Sequence, residues 1–581
     1  MFLEAVFHQP KSNYAYAYDQ ETLHIRVRTK RDDVTTVSLF HCDKYDLNGT
    51  QQLTTMHKVA SDALFDYYEA SVKPPYRRCT YGFHLISGAD QIWYTEGGFF
   101  LERPTIPTGL FEFPFLNAAD VFSPPEWVKD AVFYQIFPER FANGDPSNDP
   151  QNVAPWGGQP QYDNFFGGDL QGVIDHIDYL KDLGVNALYF TPLFEATTNH
   201  KYDTVDYKKV DPHFGDSQLL KALVHICHQN NIKVMLDAVF NHSGYYFAPF
   251  QDVIRNQEHS PYRDWFYVHE FPVQTEPRPS YDTFAFTHMM PKLNTENPEV
   301  KAYLLEVARY YIEEIGMDGW RLDVANEVDH AFWRAFRRVV KAANPDAYIL
   351  GEIWHQSMPW LQGDQFDAVM NYPVTNTILD FFCKNRIDAQ QFKNEINRMY
   401  VAYPLQANEV AFNLLDSHDT PRLLTICGEN VDKMKLAATF QLTYRGAPCI
   451  YYGDDVGLTG GEDPDCRKTM VWDKEKQNHD LLSFYQTMIR LRHENPALRQ
   501  GSLSFLLAES HSSVLVYERR LTDEHFIIMM NAADTTQEAT FTLPQGLWMD
   551  ALTHHKITEQ TADSSYTVTL EPYEYKILKQ Q

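Results

Sequence analysis

The sequence predicts an α/β protein in three parts: a (β/α)8 barrel with a subdomain inserted after its third strand, flanked by an N-terminal β-sandwich and a C-terminal β-sandwich. Three observations lead there. The 581 residues suit about three or four structural units at roughly 150 residues each. Between residues 127 and 500, short apolar runs alternate with stretches of helical periodicity. At both ends that pattern gives way to period-two alternation. The expected domains are 1–122, 123–500 with the insertion at about 240–297, and 501–581.

In the first unit, Thr22-Leu23-His24-Ile25-Arg26-Val27-Arg28 alternates apolar and polar side chains as a half-buried strand does. Pro-containing residues 103–114 and Ser123-Pro124-Pro125 read as a linker. The barrel strands are expected at 131–137, 187–191, 234–239, 319–324, 348–353, 366–370, 411–414 and 449–452. The clearest helix runs from Pro298 to about Glu314, with Asn297 as N-cap, Pro298 at the first helical position, and Val300, Leu304, Val307 and Tyr311 along one face. It leads into the fourth strand, where Arg321 and Asp323 share a face. Residues 240–297 far exceed the usual two to six residues of a βα loop and are read as one wall of a cleft. After a helix over 481–495, Val514-Leu515-Val516-Tyr517 and Thr540-Phe541-Thr542-Leu543 return to strand patterns.

Fifty basic against 78 acidic side chains give a formal charge of −28, which repels phosphate backbones and anionic lipid, so neither nucleic acid nor membrane is an expected partner. The opening MFLEAVFHQPKSNY has no basic segment leading into a long apolar stretch, and no window holds about 18 consecutive apolar residues. A soluble, cytoplasmic protein is expected. The seven cysteines show no C-x-x-C pair, which argues against a disulfide framework and a thiolate zinc site. At 14% the aromatic content hints at stacking surfaces for a cyclic ligand as much as at a large aromatic core.

Three carboxylates fall at the ends of expected strands: Asp323, Glu352, and Asp419 in the loop after the seventh. Asp237-Ala238-Val239-Phe240-Asn241-His242 closes the third strand similarly. Any one alone reads as a solvated loop residue, but a barrel gathers the C-terminal ends of its strands on one rim. Two carboxylates about 5–5.5 Å apart are what a retaining glycosidase needs, one ionised as nucleophile and one protonated as acid.

Four segments, DAVFNH (237–242), GWRLDVANE (319–327), GEIWH (351–355) and SHDT (417–420), resemble the signature segments of the α-amylase family. Met290-Pro291-Lys292-Leu293-Asn294 resembles a fifth, typical of its neopullulanase, cyclomaltodextrinase and maltogenic amylase branch. The resemblance covers most of the chain. It implies Asp323 as nucleophile, Glu352 as general acid/base, and Asp419 as the carboxylate that holds the distorted substrate. Arg321 would keep Asp323 ionised, while Glu352 gains no such partner in its own motif and Trp354 would help desolvate it. The resemblance further implies hydrogen bonds to sugar hydroxyls from His242 and His418, stacking under the sugar by Tyr202, and stacking on the leaving-group side by Phe284 and Trp354. Asp463 and Arg467 resemble further members of the pocket. Asn326-Glu327 resembles the branch's pair associated with acceptor binding and with tolerance of α-1,6 beside α-1,4 linkages. α-Glucan oligosaccharides and cyclodextrins are the implied substrates, and transglycosylation is expected beside hydrolysis.

Asn143, Asp145, Asn148, Asp149, Gly167 and Asp169 look like a structural Ca²⁺ site found in part of the branch; hard oxygen donors on loops suit that ion, and a plain Asn/Asp/Gly turn is the other reading. Tyr45 resembles a residue that reaches a partner subunit's cleft, which implies a homodimer through the N-terminal domain. A non-catalytic α-glucan-binding or scaffold relative would be free to lose the carboxylates, all of which are retained. Transglycosylases and oligo-1,6-glucosidases use the same residues, though the latter are expected to lack the N-terminal domain.

Overall fold

The computed structural model describes residues 1–46, 51–104 and 109–581. Eight parallel strands form the central sheet: β1 (Phe133–Ile136), β2 (Ala187–Phe190), β3 (Lys233–Ala238), β4 (Gly319–Leu322), β5 (Tyr348–Gly351), β6 (Ala368–Val369), β7 (Phe412–Leu414) and β8 (Ala447–Tyr451). Their order runs β6-β5-β4-β3-β2-β1-β8-β7, and a parallel bridge between Met370 and Phe412 joins the two ends. That closes the expected barrel. Inward-pointing Phe133, Tyr189, Met235, Tyr348, Leu350 and Phe412 fill its interior, and a larger apolar layer separates strands from the surrounding helices.

The helix ahead of β4 spans Pro298–Tyr310 and continues as a single π turn, Tyr311–Ile315. The Asn297 side chain accepts from the backbone N–H groups of Glu299 and Val300, so the cap operates as its sequence suggests. Val300, Leu304, Val307 and Tyr311 are all buried. The 240–297 insertion carries a short helix, Ala248–Asn256, and otherwise irregular chain, tied back to the rim by a bridge between His242 and Lys292.

The N-terminal unit is a sandwich of two antiparallel sheets around its own core. In the strand Leu23–Lys30, Leu23, Ile25 and Val27 enter that core as the alternation predicts. The polar face is nevertheless not solvated: Arg26 is buried, donates to the Val401 carbonyl of the barrel at 2.8 Å and pairs with Glu69 at 2.7 Å. The linker reading of 103–114 needs correction. Residues 105–108 lie outside the described residues, but Phe111–Phe113 is a strand paired with Cys79–Ser87, with both phenylalanines in the sandwich core. The flanking prolines masked a three-residue edge strand. At the other end, strands from Ser502 to Gln580 build the second sandwich, also with its own core.

Candidate active site

Register brings the site together. Asp237 on β3 lies directly beside Arg321 on β4, and Leu322 beside Gly351 on β5, so Asp323 and Glu352 emerge next to each other at the C-terminal rim. Gly351 has to be small, because a Cβ there would meet the Phe366 ring at 2.5 Å.

Arg321 is fully buried and its guanidinium is the hub. Nη1 donates to Asp323 Oδ1 at 2.9 Å and to both oxygens of Asp237 at 3.0 and 2.9 Å, while Nη2 lies 2.8 Å from Glu352 Oε1. Glu352 has no cationic partner in its own motif, and the one it has, Arg321, sits on the neighbouring strand. Trp354 also does more than desolvate, since its indole N–H donates to Glu352 Oε1 at 3.2 Å. The backbone N–H of Val324 donates to Glu352 Oε2 at 2.9 Å, and Val324 adopts a left-handed conformation (φ 45°) rare for a β-branched residue.

Burial pushes the Asp323 carboxyl well above the usual range; Arg321 pulls it down, and the charges of Glu352, Asp237 and Asp419 push it up again. One guanidinium is thus shared by several buried carboxylates, and it favours the ionised form of Asp323 against burial and its acidic neighbours. Asp323 Oδ2 is buried and has no hydrogen-bond partner, while Oδ1 is held by Arg321. Burial also raises Asp237 to about 6 against the pull of Arg321 and the hydroxyls of Tyr189 and Tyr202, which donate at 2.7 and 2.9 Å.

Burial favours the neutral form of both histidines. Burial lowers His242 to about 3 and His418 well below its ordinary value, the latter helped by the charges of Arg467 and Arg321. His418 Nδ1 faces the Gln135 amide at 2.7 Å, and its Nε2 lies 2.7 Å from the Tyr202 hydroxyl and 3.2 Å from Asp419 Oδ2. With the Gln135 amide donating, the ring proton is on Nε2. His242 stacks on Phe284 with centroids 5.2 Å apart, and Trp354 on Tyr372 at 3.6 Å. Arg467 links Asp419 at 3.4 Å to Asp463 at 3.1 Å.

A cavity of about 760 Å³ opens over this floor, lined by Asp323, Glu352, Asp419, Tyr202, His242, Phe284, Trp354, Asn326, Glu327, Asp463 and Arg467 of the residues expected from sequence. Arg321 and His418 lie beneath it. Tyr45 does not join them: its ring is 69% exposed on the N-terminal sandwich, against Arg78 and Lys44. Tyr162, His200, Thr287, Met290 and Val324 complete the lining. Met290 and Val324 sit inside motifs already recognised and His200 lies two residues before Tyr202, so these could have been read from sequence; Tyr162 lies in an irregular loop with no signal. Sequence reasoning also passed over Lys292, whose ammonium bonds Asn241 Oδ1 and donates to the Glu327 carbonyl at 2.9 Å, tying the insertion to the Asn326-Glu327 turn.

Five of the six candidate metal ligands fall into two hydrogen-bonded groups, with Gly167 packed against the first. Asn143 Nδ2 donates to Asp149 Oδ1 at 2.8 Å, and Asp169 accepts from Gly144 N at 3.1 Å, Asp145 N at 2.8 Å and Asn148 Nδ2 at 3.3 Å. A Cβ on Gly167 (φ 82°) would strike Asp149 Oδ1. The side-chain oxygens of Asn143 and Asn148 are buried without hydrogen-bond partners, as oxygen ligands of a hard cation are. Among the described residues no cluster of three or more His, Cys, Asp or Glu is placed to hold a metal, so amide oxygens are essential to any ion bound here.

Residues 135–501 match the family model of the α-amylase catalytic domain, 1–117 that of the α-amylase N-terminal Ig-like domain, and 503–577 that of the maltogenic amylase C-terminal domain. The chain is 59% identical over 533 residues to a cyclomaltodextrinase of a Bacillus species, covering 91% of this chain and 96% of that protein. It is 46% identical to neopullulanase 2 of Thermoactinomyces vulgaris, covering 100% and 99%. A solved cyclomaltodextrinase structure superposes with a TM-score of 0.96 at 54% identity, covering all of both chains.

Proposed function

The chain belongs to the α-amylase family as a hydrolase of the neopullulanase, cyclomaltodextrinase and maltogenic amylase type, and from that premise we propose that it cleaves α-1,4 and α-1,6 glucosidic bonds of cyclodextrins, pullulan and short maltooligosaccharides with retention, transferring some glycosyl units to sugar acceptors. The observation that carries this reading is the guanidinium of Arg321 holding Asp323 on one amino group and Glu352 on the other. Two carboxylates set side by side are the arrangement of a retaining pair, in which one attacks directly.

Asp323 Oδ2 attacks the anomeric carbon while Oδ1 stays on Arg321. Glu352, as general acid, delivers a proton to the leaving oxygen. Glu352 then takes a proton from water, and the resulting hydroxide releases the sugar from Asp323 with net retention. Neutral His242 and His418 offer hydrogen bonds to hydroxyls without adding positive charge beside the oxocarbenium-like centre. Asn326 and Glu327 line the cavity where an acceptor sugar or water would sit. Product analysis on cyclodextrin, pullulan, starch and maltotriose, beside the Glu352→Gln variant, tests the assignment. Parental rates in that variant refute it.

Ca²⁺ would be held by Asn143, Asp145, Asn148, Asp149, Gly167 and Asp169 in a structural role; the two unpartnered amide oxygens support it. Stripping with EDTA should lower the melting temperature, restored by Ca²⁺ and not by Mg²⁺, and an unchanged melt excludes the site. A homodimer in which Tyr45 approaches the partner's cleft is supported by its exposure away from its own cleft and by Phe286, 87% exposed on the cavity-lining loop. An active monomer in sedimentation at micromolar concentration overturns it. A cytoplasmic location fits seven free cysteines and, among the described residues, the absence of any helix long and apolar enough to cross a membrane.

A further inference from the structure

We propose that Tyr162 is a stacking platform for a second glucose unit on the non-reducing side of the scissile bond, an inference that rests on the α-glucan reading of the cleft. Tyr162 lines the catalytic cavity with its ring 67% exposed. Its hydroxyl is already committed, donating to the Asp463 carbonyl at 2.9 Å, so an incoming ligand meets the apolar ring face. Sugar C–H faces pack on such rings.

Position follows from a chain of contacts. Asp419 pairs with Arg467 at 3.4 Å, Arg467 with Asp463 at 3.1 Å, and Asp463 holds Tyr162, so this end of the cavity extends beyond Asp419. Trp354 instead touches Glu352, the residue that must protonate the leaving oxygen. The two exposed aromatic rings therefore serve opposite sides of the bond, Trp354 the departing sugar and Tyr162 the glycone. Asp463 and Arg467 supply charged hydrogen-bonding groups for hydroxyls beside the ring.

The ring is presented by a loop that is already ordered. Asn199, buried beneath it, donates from Nδ2 to the carbonyls of Gln161, Tyr162 and Asn164 at 3.4, 3.1 and 2.9 Å. Asn164 closes the turn by accepting from Gln161 N at 2.9 Å and donating to the Gln159 carbonyl at 3.0 Å, and Gln159 reaches Asp465 at 2.9 Å. Little ordering cost falls on a ligand that stacks there.

The test compares Tyr162→Ala and Tyr162→Phe with the parental protein on maltotriose and β-cyclodextrin. Removing the ring should raise KM roughly 3- to 10-fold with kcat within about twofold, the range of one lost stacking contact. Tyr162→Phe keeps the ring, loses only the Asp463 anchor, and should retain the parental KM. An unchanged KM in Tyr162→Ala, or a Phe variant as impaired as the Ala variant, overturns the inference; the second result would assign the residue to anchoring the loop. If the parental protein hydrolyses neither glucan, the proposed function fails, whereas hydrolysis with an unmoved KM refutes the stacking role alone.

Discussion

Replacing Arg321 by lysine keeps the positive charge and discards the fork. In the native site one guanidinium reaches Asp237 at 2.9 Å, Asp323 at 2.9 Å and Glu352 at 2.8 Å from two different nitrogens. A lysine ammonium has one nitrogen on a flexible stem and cannot span the three carboxylates in that geometry. Losing two contacts at about 1.5–3 kcal/mol each removes roughly 3–6 kcal/mol of stabilisation from the reacting arrangement, about a 10²- to 10⁴-fold fall in kcat/KM. The pH profile should move as well. Arg321 is the main influence drawing Asp323 down against burial, so weakening it raises that carboxyl further. Catalysis needs Asp323 ionised, hence the acid limb of the kcat/KM profile shifts to higher pH. Reducing-sugar release from β-cyclodextrin between pH 4 and 8, with circular dichroism to confirm folding, reads both effects. Activity within about threefold of the parental protein with an unmoved acid limb would refute the hub role.

Two further outcomes follow from buried cations and imidazoles. His242 binds its proton more weakly folded (about 3) than unfolded (6.5), so its contribution to stability is present above pH 6.5 and is lost as pH falls below that value. At about 1.4 kcal/mol per pH unit the loss between pH 6.5 and 5 is on the order of 2 kcal/mol. Urea melts at pH 7 and 5 should show a smaller difference for His242→Asn than for the parental protein; equal differences refute the neutral-imidazole assignment. Arg519, also fully buried, has no carboxylate partner among the described residues and instead donates to the carbonyls of Thr443, of Leu498 at 3.0 Å and of Gly501 at 2.9 Å, fastening the C-terminal sandwich to the barrel. Leu498 and Gly501 also accept from Arg492 and Arg445, so Arg519→Met strips a buried donor chiefly from the Thr443 carbonyl, at roughly 1–3 kcal/mol; the melting temperature should drop while cyclodextrin activity of the folded protein at 25 °C persists. An unchanged melt refutes that account.

Much of this was legible in the chain because local periodicity and motif order are written there. The alternation of Trp320, Leu322 and Val324 with Arg321 and Asp323 sufficed to put the charged pair on one face, and the Asn297-Pro298 start announced the helix before β4. Short or irregular pieces were not legible. Phe111–Phe113 is three residues beside prolines, too little for a period, and Tyr162 sits in a loop whose shape depends on Asn199, 37 positions away. The polar face of Leu23–Lys30 looked solvated, since alternation distinguishes two faces of a strand without saying what covers either.

The sequence by itself determined the three-part architecture, the family, and which carboxylates end which strands. Tertiary structure decided the electrostatics. That Glu352 shares Arg321 with Asp323, that Asp237 completes the hub, and that the cleft reaches past Asp463 to Tyr162 all depend on register between neighbouring strands and on loops folding back over the rim. A strand's period of two fixes which side chains face inward, but not which residue of the next strand lies alongside, and charges a few ångströms apart respond to that neighbour.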